Sequence, residues 1–287
     1  MVTTKGIKTA LEELIALQAY ATSRALPRQR KASGTLTGER RTKRFGHGMD
    51  FAEFRHYQAG DDVRAIDWRV TARSGKTHIR VYREERERPV FIVVDQSPNM
   101  QFGTRRQFKS VQAAKIAALL AWAALQNGER VGGQVSGVTE NKMLSPKTGK
   151  RGVLQLLSAL TAELTSDSMQ WDVVLSDLRQ QLKPGSLIIL ISDFYELGEH
   201  ARQHLQTISQ HNDLLLIHIS DPLEQQAPST NRYLVTDGKQ ELVLDTSDAA
   251  LCAAYSEQFQ QRFDQLKNFC EQYGINFRTL LTSDDLI

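Results

Sequence analysis

The chain has 287 residues, of which 40% are hydrophobic and 24% are charged, and its formal net charge is +3. A chain of this length can hold one large domain or two modest ones, and this composition is that of an ordinary soluble protein. The longest apolar run, residues 113–125, contains Lys115 and is shorter than the roughly 20 residues that a membrane-spanning helix needs. The N-terminal residues lack the cleavage pattern of a signal peptide. We therefore expect a cytoplasmic protein without a membrane span.

The N-terminal segment, residues 1–44, combines a predicted amphipathic helix over residues 6–23 with a basic linker. It carries 10 lysines and arginines against 3 acidic residues. Glycine, serine, threonine and proline separate these charges, which is typical of an exposed linker or a partner-facing arm. Nucleic-acid binding through this arm is the less favoured alternative, because the segment has no interleaved aromatic residues on which bases could stack.

The next segment, residues 45–88, is a polar and aromatic block that ends in a predicted half-exposed strand over residues 77–88. Ile66 and Trp68 are its expected apolar anchors.

Residues 89–287 alternate between apolar strands and amphipathic helices. In chain order, the pattern predicts a strand at 89–95, a helix at 105–128, a strand at 129–137, helices at 150–164 and 171–182, a strand at 185–193, a helix at 196–210, a strand at 213–221, a hairpin around Asp237 and Gly238, a helix at 249–273 and a last strand at 275–282. Continuous apolar strands separated by helices indicate a mostly parallel sheet that is covered on both faces. The predicted fold class is doubly wound α/β.

Cys252 and Cys270 fall on the same predicted helix, about 27 Å apart, and are expected as free thiols.

Three acidic residues stand where predicted strands end: Asp95, Asp193 and Asp221. Ligands of doubly wound sheets bind beyond the carboxyl ends of the strands. Three carboxylates at one edge would repel each other unless a cation or positive partners balance them. A divalent ion is the simplest interpretation.

Common catalytic motifs are absent. The sequence has no phosphate-binding loop, no G-x-G-x-x-G opening a helix after the first strand and no G-x-S-x-G nucleophile motif. His200 and His204 are four residues apart on a predicted helix but lack a third ligand for zinc. His218, within LLLIHIS, is expected as a core residue with its hydrogen bonds satisfied rather than as a base. We therefore predict no nucleotide cofactor and no catalytic residue.

The segment after the first of these strands reads D-x-S-x-N, with Asp95, Ser97 and Asn99. Carboxylate, hydroxyl and amide oxygens are the donors that Mg²⁺, Mn²⁺ and Ca²⁺ prefer. The same residues could instead form a turn stabilised by the aspartate side chain that leads into a helix cap. The local sequence leaves both interpretations open.

At family level, the D-x-S-x-N segment resembles the D-x-S-x-S metal-ion-dependent adhesion site of von Willebrand factor type A domains. The block that contains Y-x-x-G-D-D-x-R-x-I-D-W-x-x-x-A-R resembles the hallmark of the bacterial domain-of-unknown-function family fifty-eight, and the likeness extends from about residue 30 onward. The resemblance implies a small N-terminal block, residues 45–88, packed on a type A-like domain, residues 89–287. It also implies a metal set of Asp95, Ser97 and Asp193, with Asn99 in place of the second serine and Thr148 as a weak match to the usual threonine.

The resemblance also implies a function. Type A domains bind proteins through a metal ion with an open coordination position, and relatives of this family are associated with MoxR-type AAA+ ATPases. The expected protein is a soluble, non-catalytic adaptor that binds Mg²⁺ or another divalent ion and presents client proteins to such an ATPase for remodelling or maturation. The competing prediction is a metal-dependent hydrolase that uses Asp95, Asp193 and Asp221 around a cation.

Overall fold

The computed structural model of the protein describes residues 6–22, 26–27, 49–58, 63–84, 87–139, 141–195, 197–236 and 241–286. The chain divides into two compact units. The larger unit is formed by Met1–Ala32 and Arg88–Ile287, and the smaller by Ser33–Glu87.

The smaller unit contains a two-stranded antiparallel ribbon and one helix. Strand β1 (Met49–His56) pairs with strand β2 (His78–Glu84), and helix α2 (Trp68–Ser74) lies between them in sequence. Asp67 caps this helix, because its carboxylate accepts hydrogen bonds from the backbone nitrogens of Arg69 and Val70 at 2.9 and 3.1 Å. The expectation that Trp68 is a buried anchor is wrong, since its side chain is exposed. Ile79 on β2 is buried instead.

The larger unit is built on a six-stranded sheet whose strand order is β10-β7-β6-β3-β4-β5. Its members are β3 (Pro89–Asp95), β4 (Arg130–Ser136), β5 (Leu144–Lys147), β6 (Leu187–Ser192), β7 (Asp213–Ser220) and β10 (Asn276–Leu281). All neighbouring pairs are parallel except β4 and β5, which are antiparallel. The prediction of a mostly parallel sheet in an α/β protein is confirmed.

Helices cover both faces of this sheet. Alternate residues of the central strands point to opposite faces, which gives two apolar cores. Helices α1 (Leu11–Ala16), α3 (Lys109–Gln126) and α4 (Lys150–Leu160) contribute to the first core, and α5 (Trp171–Gln181), α6 (Glu199–Ser209) and α8 (Ala249–Gln272) contribute to the second. Helix α7 (Pro222–Gln225) is a single turn after β7, and β8 (Arg232–Thr236) pairs with β9 (Glu241–Asp245) as the predicted hairpin.

The N-terminal helix and α3 differ most in length from the helices that the sequence predicts. The N-terminal helix ends at Ala16 and continues as a 3₁₀ turn, Leu17–Ala19. Leu14 is buried in the first core, and its carbonyl oxygen accepts a hydrogen bond from Trp122 Nε1 at 3.1 Å. Helix α3 begins at Lys109 rather than near residue 105, since the backbone nitrogen of Lys109 donates to the carbonyl oxygen of Phe102 and closes a loop before the helix.

Both cysteines lie on α8 and are free thiols, as predicted. No helix in the described part of the chain combines the length and the apolarity that crossing a bilayer requires. The basic linker falls mostly outside the described residues, and its role stays a prediction.

Candidate functional site

The carboxyl end of the central sheet carries a row of polar side chains on one face. Asp95 at the end of β3 is in register with Ser136 at the end of β4. On the other side, the hydroxyl of Ser192 at the end of β6 donates to Asp95 Oδ2 at 2.6 Å. All three side chains are buried. The hydroxyl oxygen of Ser136 has no hydrogen-bond partner among the described residues.

Asp95 organises the loop that follows β3. Its Oδ1 atom accepts a hydrogen bond from the backbone nitrogen of Ser97 at 2.9 Å, which is the turn that the sequence offered as one of its two interpretations. Ser97 is buried and immediately precedes a 3₁₀ turn, Pro98–Met100. Burial raises the pKa of the Asp95 carboxyl and nearby Asp193 raises it further, although the hydrogen bonds from Ser192 and Ser97 oppose the shift. Both oxygens of this carboxyl group therefore have protein donors.

Two of the five predicted metal ligands do not join this cluster. Asn99 follows the buried Ser97 in the same loop, but its side chain is exposed. Thr148 lies at the other end of the sheet, because β5 runs antiparallel to β4 and its last residue, Lys147, pairs with Val131 near the start of β4. Five residues of strand separate Val131 from the carboxyl end, a distance of roughly 16 Å. The assignment of Thr148 to the site is wrong.

Asp193 lies beside a buried lysine. The Nζ atom of Lys109, the first residue of α3, is 2.7 Å from Asp193 Oδ2 and 2.7 Å from Oε1 of Glu224 in α7. The side chain of Lys109 is only 2% exposed. Burial disfavours the ammonium form, but the two carboxylates outweigh burial and raise the pKa of Lys109. The acidic edge therefore has a positive partner that belongs to the protein itself.

Asp221 joins three segments of the chain at the same edge. Its carboxylate accepts hydrogen bonds from the backbone nitrogen and hydroxyl of Thr104, from the hydroxyl of Thr282 and from the backbone nitrogen of Leu223. Burial opposes ionisation of this carboxyl group, but these hydrogen bonds together lower its pKa. The backbone nitrogen of Asp221 donates in turn to Glu224 Oε2 at 2.8 Å. Asp221 is therefore a structural junction that also holds Glu224 against Lys109.

His218 lies in the second core, as predicted, next to the row of polar residues. It is 6% exposed and is in register with Ser192 on the neighbouring strand. Its ring is surrounded by the rings of Phe194, Phe259, Phe263 and Phe277. Its Nδ1 atom has no hydrogen-bond partner within the described ranges, so the prediction that its hydrogen bonds are satisfied is wrong for this atom. Burial lowers the pKa of His218 to about 4, so the imidazole is neutral near pH 7.

A cavity of about 250 Å³ opens beside His218, between the carboxyl ends of β6 and β7 and helix α8. Asp193 and Glu224 line one side of it, and Phe263 and Arg262 of α8 line the other. The guanidinium of Arg262 lies over the ring of Tyr195, 4.8 Å from its centroid. The lining combines charged and aromatic side chains, and its two acidic residues are paired with Lys109.

The residues present do not fit the divalent ion that the resemblance implies. Of the expected set, Asp95, Ser97 and Asp193 lie near one another, whereas Asn99 points to solvent and Thr148 lies at the opposite end of the sheet. The ammonium of Lys109 is in direct contact with Asp193. A second cation bound to the same carboxylate would be strongly repelled in a buried position.

Lys109 and Glu224 belong to the candidate site but are not among the residues predicted from the sequence. The predicted helix begins near residue 105, so the sequence does not show that Lys109 opens α3 or that it is buried. Glu224 does have a recognisable signal. Glu224 is the third residue after Asp221, in the reciprocal capping arrangement that the structure shows at the start of α7.

Comparison with known proteins places the chain in a family. The family model described as "Protein of unknown function DUF58" matches residues 53–264. The proteins Rv1480 of Mycobacterium tuberculosis and Mb1516 of Mycobacterium bovis are each 29% identical over 228 residues, which is 78% of this chain and 71% of theirs.

Among solved structures, BatB from Bacteroides thetaiotaomicron is similar to this chain, with 14% sequence identity and a TM-score of 0.44. The match covers 68% of this chain and 91% of the BatB chain. An aerotolerance-related membrane protein from Bacteroides fragilis is 13% identical with a TM-score of 0.44, and covers 67% of this chain and 91% of its own. Because the family model spans most of the sequence, including the loops after β3, β6 and β7, the chain belongs to the DUF58 family.

Proposed function

We propose that this protein is a non-catalytic docking adaptor that works with a MoxR-type AAA+ ATPase in the remodelling or maturation of client proteins. The ATPase partner comes from the resemblance to the family, and the placement of the docking surface comes from the fold. The six-stranded domain is proposed to be of the von Willebrand factor type A kind. Its strand order, with an antiparallel edge strand beside β4, supports that assignment.

The observation that carries the proposal is a contrast at the carboxyl end of the sheet. The acidic side chains there are hydrogen-bonded within the protein, whereas side chains of the adjacent loops are exposed. Asp95, Asp193 and Asp221 are all hydrogen-bonded to protein donors. Exposed side chains lie in the loops that follow β3 and β6 at this end of the sheet, and we call this set the carboxyl-end surface: Pro98, Asn99, Phe102, Arg105 and Tyr195.

The composition of this surface suits protein binding. Tyr195 is 62% exposed and Phe102 is 38% exposed, and they lie in loops that follow the neighbouring strands β6 and β3. Aromatic residues and arginine are enriched at the centres of protein interfaces. Loops held by a rigid sheet are also the usual position for binding residues.

The alternative of a hydrolase built on Asp95, Asp193 and Asp221 gains no support from the geometry. A general base needs a free acceptor within reach of a substrate. The carboxylates of Asp95 and Asp221 accept hydrogen bonds on both oxygens, and Asp193 is paired with Lys109.

Two single substitutions test where the ATPase binds. Asn99→Arg places a bulky charge on the carboxyl-end surface, and Thr148→Arg places the same charge in an exposed loop at the other end of the sheet. With the purified ATPase and Mg-ATP present throughout, we expect Asn99→Arg to weaken capture by about tenfold, which corresponds to ~1.4 kcal/mol. Thr148→Arg should capture as much ATPase as the wild type. Equal capture by both variants, or loss only in Thr148→Arg, would contradict the proposed docking surface.

A further inference from the structure

The ammonium of Lys109 stands at the acidic edge where the sequence suggested a divalent ion. Its Nζ atom is 2.7 Å from one oxygen of Asp193 and 2.7 Å from one oxygen of Glu224. These separations are those of charge-assisted N–H···O hydrogen bonds. They join residues that are 84 and 115 positions away in sequence.

The burial of this group shows that the cluster is built around it. The Lys109 side chain is 2% exposed, and those of Asp193 and Glu224 are 12% and 29% exposed. Burial of an ammonium is strongly unfavourable unless carboxylates pair with it. Lys109 also opens helix α3, where the helix dipole disfavours a positive charge. The two carboxylates make this position favourable for a lysine.

The carboxylates are fixed by other contacts and do not merely follow the lysine. The Asp193 Oδ1 atom accepts from the backbone nitrogen of Tyr195 at 3.0 Å, and Glu224 Oε2 accepts from the backbone nitrogen of Asp221 at 2.8 Å. Each acid therefore offers its second oxygen to one shared point, and Nζ of Lys109 lies at that point. A pair of fixed oxygens that converge on one centre is what a hard cation would also require.

We propose that Lys109 is a built-in cation that takes the place of the divalent ion, so that the carboxyl end of the sheet keeps its geometry without a metal. The ammonium has three donors, which suits the two converging oxygens. The two carboxylates and one lysine make a local cluster with one net negative charge.

This arrangement has a consequence for docking, which rests on the proposed adaptor function. A metal ion with an open position would accept a partner's carboxylate, but a lysine that is 2% exposed cannot do so. The partner must then bind the exposed side chains of the carboxyl-end surface, and binding to that surface does not depend on a metal ligand.

Titration with Mn²⁺, followed by electron paramagnetic resonance of the free ion, tests the inference without any partner protein. The wild type should show no stoichiometric binding with a dissociation constant below ~1 mM, the weak end of known protein sites for hard divalent ions. Lys109→Met removes the ammonium and frees Asp193 and Glu224, so we expect it to bind one Mn²⁺ at least about tenfold more tightly than the wild type.

Two matched variants control this titration. Lys115→Met removes another lysine of α3, whose ion pair is with Glu13, and should gain no Mn²⁺ binding. Lys109→Met combined with Asp193→Asn should lose the binding that Lys109→Met gains.

The inference is overturned by either of two results. One is that the wild type binds one Mn²⁺ with a dissociation constant well below ~1 mM and that Asp193→Asn abolishes this binding. The other is that Lys109→Met folds, as judged by circular dichroism, but gains no site. If Lys109→Met does not fold, the titration of the wild type and Asp193→Asn decides the matter alone. Neither outcome affects the ATPase capture experiment, so the two proposals can fail separately.

Discussion

The substitution Lys109→Met is expected to lower the free energy of unfolding by about 3–5 kcal/mol, the usual cost of leaving one side of a buried ion pair without its partner. Methionine keeps most of the length of the lysine side chain, so lost packing contributes little. The main effect is that Asp193 and Glu224 then hold two negative charges near Asp95 with no cation between them.

Urea denaturation of Lys109→Met and Lys115→Met measures this effect against a matched control. Both lysines are on α3 and both form ion pairs, but the Lys115 side chain is 22% exposed and its partner Glu13 is 39% exposed. Partly exposed pairs contribute about 0–1 kcal/mol. Similar losses for the two variants would show that the Lys109 cluster does not hold the carboxyl end of the sheet together.

Acid should destabilise the protein through His218, which is the second large effect. The pKa of this imidazole is lowered from 6.5 to about 4 by burial. An unfolded chain takes up a proton at His218 near pH 6.5, whereas the folded chain does so only near pH 4. Stability that is fully present above pH 6.5 is therefore lost as the pH falls toward 4, by up to about 3 kcal/mol.

His218→Phe tests this dependence with little change in shape, because the ring already packs among phenylalanines. Its Nδ1 atom has no partner among the described residues, so the substitution removes a buried unpaired polar atom. We expect the variant to be at least as stable as the wild type at pH 7 and to lose much less stability between pH 7 and 4.5.

The difference between this variant and the wild type isolates the imidazole, since carboxyl groups such as Asp95, whose pKa is raised, change both proteins alike. His200→Phe, on the exposed face of α6, should retain the acid-induced loss of the wild type. If the stability of His218→Phe fell with pH as steeply as that of the wild type, His218 would not be the source of the acid-induced loss.

The sequence pattern was sufficient for the architecture and for part of the site. Apolar strands that alternate with amphipathic helices predicted the sheet, and the positions at which those strands end brought Asp95, Asp193 and Asp221 to one edge. Side chains alternate between the two faces of the sheet along a strand, so the face on which a residue lies also follows from the sequence. Ser192 lies on the same face as Asp95 and donates to it.

The remaining features depend on contacts between distant segments. The strand β5 is four residues long and contains Pro146, so it resembles a loop in sequence. Its antiparallel direction carries Thr148 away from the site. Lys109 begins a helix whose pattern suggests that its charged residues are solvated, and only the fold brings Asp193 and Glu224 to its ammonium.

The proposed docking surface can be tested by hydrogen exchange, measured by mass spectrometry, on the protein with and without the purified MoxR-type ATPase in Mg-ATP. We expect the ATPase to slow exchange in the loops after β3 and β6, which carry Asn99, Phe102 and Tyr195, and to leave the loop at Thr148 unchanged. Slower exchange at Thr148 with no change at the carboxyl end, or no slowing at either end, would show that the ATPase does not bind this surface.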